Sequence, residues 1–261
     1  MFSPEREQNL NITYVLLWFS FVVKHKSTRC DDFARSSCLP PVDDNVISLN
    51  MSKSGRDKEK RGYHHGNLAE ALVQAALDLI ARVGPAGFSF AEVTRAVGVS
   101  PAAPYRHFRD RDALMADIAR RGFDRFADAL EKALEGGKAD PMTAFRNVAQ
   151  ACLTFARDEP AYFAAMFEAR LSPGSTRELS LAADRAFAVM RQASEDLITT
   201  LPQNKRPPAM MMALHVWSMS HGIAALFGRG DSARRTIPMT PEELLEANLL
   251  IYLDGLGLGN K

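Results

Sequence analysis

From residue 67 onward apolar positions recur every three to four residues and almost never alternate, the periodicity of helices packed on one side. Leu68, Leu72, Ala75/Ala76, Leu79/Ile80 and Val83 form the first stripe, with Asn67 as N-cap, Glu70 as its reciprocal partner and Gly84-Pro85 as the stop. Ser89 and Glu92 make a capping box for a second, short helix that Gly98 ends, with Phe88 and Val93 placed for a hydrophobic staple. Ser100 then reads as a new N-cap with Pro101 at the first helical position and Pro104 just inside, which predicts a helix to about Phe108. Asp110 caps a longer helix bearing Leu114, Ile118, Phe126, Leu130 and Leu134.

Beyond residue 135 the pattern stays helical. Asp140-Pro141 opens a helix with Phe145, Val148, Cys152 and Phe155 on one side, and Pro160 opens another. Ser175 with Glu178 is expected to cap a third, a fourth starts near Pro208, and Thr240 with Glu243 caps the last. The expected fold is all-α. Three N-terminal helices form a helix-turn-helix corner, and a helical bundle follows. The expected division is 1–61 as an extension and basic arm, 62–110 as the corner, and 111–261 as a regulatory and dimerisation bundle.

Charge sharpens this picture. Residues 51–111 hold ten Lys/Arg against six Asp/Glu, a net of +4, whereas the whole chain carries only +1. Positive charge is thus local, which points to a local anionic partner. Two short helices joined by a glycine turn can equally be a corner of an ordinary bundle. The charge excess and the basic arm after Met51 (Lys53, Arg56, Lys58, Lys60, Arg61) favour duplex DNA, with the second helix in the major groove. Three scattered cysteines, Cys30, Cys38 and Cys152, fit a reducing cytoplasmic setting. The apolar run Ile12 to Val23 is too short to span a bilayer, so no stable membrane association is expected. Residues 1–50 match nothing in the style of the remainder and are expected to take no part in function; the two readings are that they are untranslated in the cell or that they form a small accessory membrane anchor. No Gly-rich phosphate loop or metal-spaced cluster is read, so neither a cofactor, a metal nor a catalytic residue is expected.

The stretch "FAEVTRAVGVSPAAPYRHFRDRDAL" resembles the tetracycline-repressor family of bacterial regulators, with Gly98, Val99, Ser100, Tyr105, His107, Phe108 and Leu114 at the family's positions. "YHHGNL" (Tyr63 to Leu68) and the Trp217-x3-His221-Gly222 element are similar to the branch with a Trp-His-Gly C-terminal domain. The departure is Pro101-Ala102-Ala103-Pro104, where many members are more polar. Chemistry and resemblance together assign roles. Arg106 is the expected guanine reader, because its fork matches O6 and N7. Tyr105 and His107, with Ser100 and Thr94, are expected to hold phosphates, although Tyr105 also suits packing beside Phe108. Pro101, Ala102 and Ala103 would allow close approach or touch thymine methyls. Arg95 and Arg109 read as solvated or phosphate-facing.

In the bundle, Phe163, Met166, Phe167, Phe187, Met190, Trp217 and His221 are expected to line a pocket for a small apolar effector. Each also suits plain core, and His221 reads equally as a satisfied buried histidine. The resemblance implies a homodimer built from Pro208–Gly228 and Pro241–Leu256, and a helix starting at Asp110 that transmits the effector's presence. The expected function is therefore a ligand-responsive repressor on a pseudo-palindromic operator. The rival class is a small-molecule-binding or enzymatic bundle whose basic arm binds RNA or lipid.

Overall fold

A computed structural model describes residues 68–169, 171, 176–228 and 237–258, and among these the secondary structure is helical throughout. The helices are α1 Leu68–Val83, α2 Phe90–Val97, α3 Arg111–Gly136, α4 Pro141–Asp158, α5 Pro160–Phe167, α6 Arg177–Ile198, α7 Ala209–Phe227 and α8 Pro241–Gly255. The expectations for Asn67, for the basic arm and for residues 1–50 lie outside the described residues.

Local chemistry sets most helix ends. Ser89 Oγ accepts from the Glu92 amide while the Glu92 carboxylate accepts from the Ser89 amide at 2.7 Å, which closes the predicted box at α2. Those bonds, the backbone one first, also hold the Glu92 carboxyl below its usual range. Gly98 ends α2 at φ +76°, a left-handed conformation that a side chain would strain, and its amide reaches the Thr94 and Arg95 carbonyls. Asp110 caps α3 through the Ala113 amide at 2.8 Å, and Thr240 with Glu243 closes a second box at α8. The cap of α6 is Thr176, whose hydroxyl accepts from the Leu179 amide. Ser175, the residue expected there, lies outside the described set, and the shift moves Glu178 out of the box position.

One larger correction concerns the corner. The helix expected from Ser100 to Phe108 is a bend followed by a single 3₁₀ turn, Pro104–Arg106, whose N-cap is Ala103 without a side-chain cap. Pro101 and Pro104 offer no amide hydrogen, so the segment is held mainly by three-residue bonds. Ala103 donates to Ser100, Arg106 to Ala103 and His107 to Pro104, at 3.0, 3.3 and 2.9 Å.

The helices bury two apolar cores. The smaller holds Leu72, Val73, Ala76 and Ile80 of α1, Val93 of α2, and Phe88 and Phe108 of the loops. It also takes Leu114, Met115 and Ile118 from α3, so along that helix this core reaches past Asp110, the boundary expected from the sequence, as far as Ile118. The larger core begins at Ala119 of the same helix and gathers α3, α4, α6, α7 and α8. Two helices therefore belong to both. α3 is 26 residues long, about 39 Å at the helical rise. α5 is short. Its Ala164 and Ala165 are buried in the smaller core, while Met166, Phe163 and Phe167 join the larger one.

α7 has 19 residues and is long and apolar enough to cross a bilayer by length and composition alone. Much of its apolar surface, with that of α8, faces outward: Met211 is 44%, Leu250 45% and Ile251 75% exposed.

Candidate nucleic-acid interface and effector cavity

The bend after Gly98 projects a polar strip. Ser100, Pro101, Ala102, Tyr105, Arg106 and His107 are exposed, and Ala103 is half-buried. The strip is fixed from beneath by buried Pro104 and Phe108, and the 3₁₀ turn contacts α1. Tyr105 packs its ring edge-to-face on Phe90 at 5.3 Å yet remains 61% exposed, so it supports the strip from its rim and stays out of the Phe108 core. The Arg106 side chain makes neither an ion pair nor a hydrogen bond among the described residues, unlike that of Arg109, whose guanidinium is tied to Asp110 at 2.8 Å. Arg106 alone therefore offers its whole fork outward from this turn.

Thr94 departs from the expectation. It is buried, and its hydroxyl donates to the Phe90 carbonyl at 2.9 Å, one turn back. The proton expected to meet a phosphate is used inside α2.

Arg111 was legible only as part of the charge count. At the first position of α3 its Nε donates to the Phe88 carbonyl at 3.1 Å, and its Nη2 donates to the Pro85 carbonyl. The guanidinium also lies over the Phe88 ring, 4.8 Å from its centre. Arg111 thereby ties the α1–α2 loop to α3 and sets how the corner sits on the long helix. A second tie joins α1 to α3 through Arg121, which pairs with Glu70 and with Asp117.

In the bundle, four of the seven expected pocket residues meet. Trp217 and His221 stack with ring planes 14° apart, and Phe163 and Phe167 pack on His221 at 5.2 and 5.1 Å. Phe167 also meets Trp217 edge-on. They surround a small, partly open cavity of about 10 Å³, completed by Phe126, Cys152 and Ser220, which the sequence reading did not select. The other three residues lie apart from it. Met166 covers Gly122 of α3, where an added Cβ would come within 2.7 Å of its Sδ. Phe187 and Met190 belong to the core around α6, and Met190 Sδ receives the Cys152 thiol at 3.9 Å.

Burial pushes the His221 imidazole down to about 4 and the Cys152 thiol up to about 12. These directions are opposite to those of a thiolate–imidazolium pair, which lowers the thiol and raises the histidine. Both groups stay neutral at pH 7, and every side chain lining the cavity is uncharged.

Comparison with known proteins bears on both halves. A family model described as "Bacterial regulatory proteins, tetR family" matches residues 72–118. One described as "Tetracyclin repressor-like, C-terminal domain" matches residues 145–250. Between them they span more than half of the 261 residues. YobS of Bacillus subtilis (strain 168), described as an uncharacterized HTH-type transcriptional regulator, is 24% identical over 203 residues, covering 75% of this chain and 96% of that protein. Among solved structures, a protein of unknown function from Rhodococcus sp. RHA1 is 28% identical with a TM-score of 0.61, over 75% of this chain and 98% of its own. The TetR family transcriptional regulator PfmR from Thermus thermophilus is 24% identical with a TM-score of 0.56, over 73% and 98%, a likeness of fold.

Proposed function

The chain belongs to the tetracycline-repressor family of DNA-binding transcriptional regulators, and from that premise we propose that it is a cytoplasmic, ligand-responsive repressor acting as a homodimer on a pseudo-palindromic operator. Arg106 reads a guanine, while Ser100, Tyr105 and His107 hold phosphates on either side. The outward apolar residues of α7 and α8, Met211, Leu250 and Ile251, are the dimer face, which accounts for so apolar a helix on a protein surface. Two corners on one two-fold axis then read two half-sites about one helical turn of DNA apart.

The observation that carries the ligand response is the position of α5. Its alanines pack on α1 of the corner, and its phenylalanines pack on Trp217 and His221. A small apolar effector that spreads the aromatic cluster must move α5, and with it a wall of the corner's core. To swing operator occupancy from 1:99 to 99:1, the effector has to bind one state about 10⁴-fold better than the other.

The test is to select bound duplexes from a random pool, then screen small molecules for release of the selected operator. Trp217→Ala should change release, or weaken the bundle, and leave the selected sequence the same. A Trp217→Ala chain that selects a different operator overturns this division of labour.

A further inference from the structure

The space beside Trp217, about 10 Å³, holds no more than roughly one water, so an effector needs more room than it offers. The outer face of the bundle carries a much larger space, a groove of about 780 Å³ between α3 and α4. That volume lies within the range of sites for small molecules. Small side chains, Ala129, Ala133 and Ala151, line it together with the neutral polar groups of Asn147, Gln150 and Thr154.

Groove and cavity share one wall. Phe155 lines the groove and Phe126 lines the cavity, and their ring centres are 5.0 Å apart. The alternation along the helices agrees. α3 turns Arg125 and Ala129 to the groove and Phe126 to the cavity, and α4 turns Ala151 and Phe155 to the groove and Cys152 to the cavity. The Phe126–Phe155 contact thus stands at the wall between the two spaces.

We propose that the α3–α4 groove is the mouth of the effector site, that Phe126 and Phe155 are its gate, and that the effector is an amphipathic small molecule. Its uncharged planar body lodges among the aromatic rings, and its hydrogen-bonding head stays in the groove. The proposal rests on the ligand-responsive reading above and gives that site its route and its ligand class. A charged body would be buried opposite no countercharge, which disfavours it. Rings stacked edge-on and face-on present the surfaces that a flat apolar body replaces. In the groove the charged neighbours are largely engaged, Arg125 with Glu159 and Asp128 with Arg185. The neutral amides and the hydroxyl are left to receive the head.

The experiment uses the full chain in a Trp18→Phe background, which leaves Trp217 as the sole tryptophan. The probe is N-phenylnaphthylamine, an uncharged aromatic dye, followed by energy transfer from Trp217 in stopped flow. Ala151→Phe and, separately, Ala129→Leu fill the groove from its open side, and circular dichroism checks that each variant folds. The expected result is an association rate lowered about tenfold or more by filling the groove, and raised by Phe155→Ala, with operator binding intact. Unchanged association in both filled variants overturns the mouth and leaves the aromatic cluster as an effector site reached some other way. Absence of energy transfer in the unfilled chain overturns the mouth and the cluster together.

Discussion

The guanidinium of Arg111 joins Phe88 twice, by a hydrogen bond of 3.1 Å to its carbonyl and by lying over its ring. This contact connects the loop that launches α2 to the first turn of the long helix. Arg111→Ala leaves two loop carbonyls short of a donor and should destabilise the fold by about 1–3 kcal/mol. It should also weaken operator binding without altering the preferred sequence. Arg111→Lys keeps the charge and loses the fork, so it should recover only part. Chemical melts and a gel-shift series on both variants check this, and full operator affinity in Arg111→Ala would remove the positioning role.

Among the described residues, the Arg106 side chain makes no ion pair or hydrogen bond, unlike Arg109, which is paired with Asp110. Arg106→Ala should cost about 1–3 kcal/mol on the preferred operator and relax discrimination at one position in each half-site. Tyr105→Phe removes a neutral donor, so it should weaken all duplexes alike with little change in salt slope. Competition binding against single-base operator variants separates the two outcomes. Undiminished discrimination by Arg106→Ala would assign the reading to another residue.

His221 gives stability a pH dependence of known sign. An ordinary imidazole takes up its proton near 6.5, whereas burial delays that uptake in the folded chain to about 4. Between these values the unfolded chain binds more protons. The contribution of His221 is therefore complete above pH 6.5 and is lost as pH falls toward 4, on the order of 3 kcal/mol in all. His221→Phe keeps a ring against Trp217 and removes the proton site. Its melting temperature should fall less than that of the unsubstituted chain between about pH 7 and pH 4.5. Parallel profiles for the two chains would place the acid sensitivity elsewhere.

Ile251 is three-quarters exposed on α8 and suits a test of assembly. Ile251→Glu should leave the helix content unchanged, give a monomer in sedimentation, and weaken operator binding through loss of the paired half-site. A variant that stays dimeric would move the interface off this face.

Helix ends are legible where their chemistry is local. Ser89 with Glu92, Asp110, and Thr240 with Glu243 each satisfy amides within three residues, so spacing alone locates them. The corner is harder to read because Ser100 and Pro101 form a good helix start, but Pro104 removes a second donor before a full turn has closed. The aromatic cluster is half legible. Trp217 and His221 lie one turn apart on one helix, but Phe126 and Cys152 reach them from α3 and α4. Periodicity says which face is apolar and not which neighbour it meets, so Phe187 and Met190 fall on the correct side of α6 and outside the cavity. Arg111 and the groove depend on which helices lie side by side, and no spacing in the chain records that.

α5 has eight residues, well below the 12–15 or so at which a lone helix begins to persist in water. Its helical form is lent to it by two surfaces at once, alanines against α1 and phenylalanines against Trp217 and His221. A segment so short keeps its helix only while both surfaces stay against it. Trimming or extending α5 by one residue between Ala165 and Phe167 would turn Phe167 about 100° out of register with the alanines, so this register is what lets two turns of helix serve two cores.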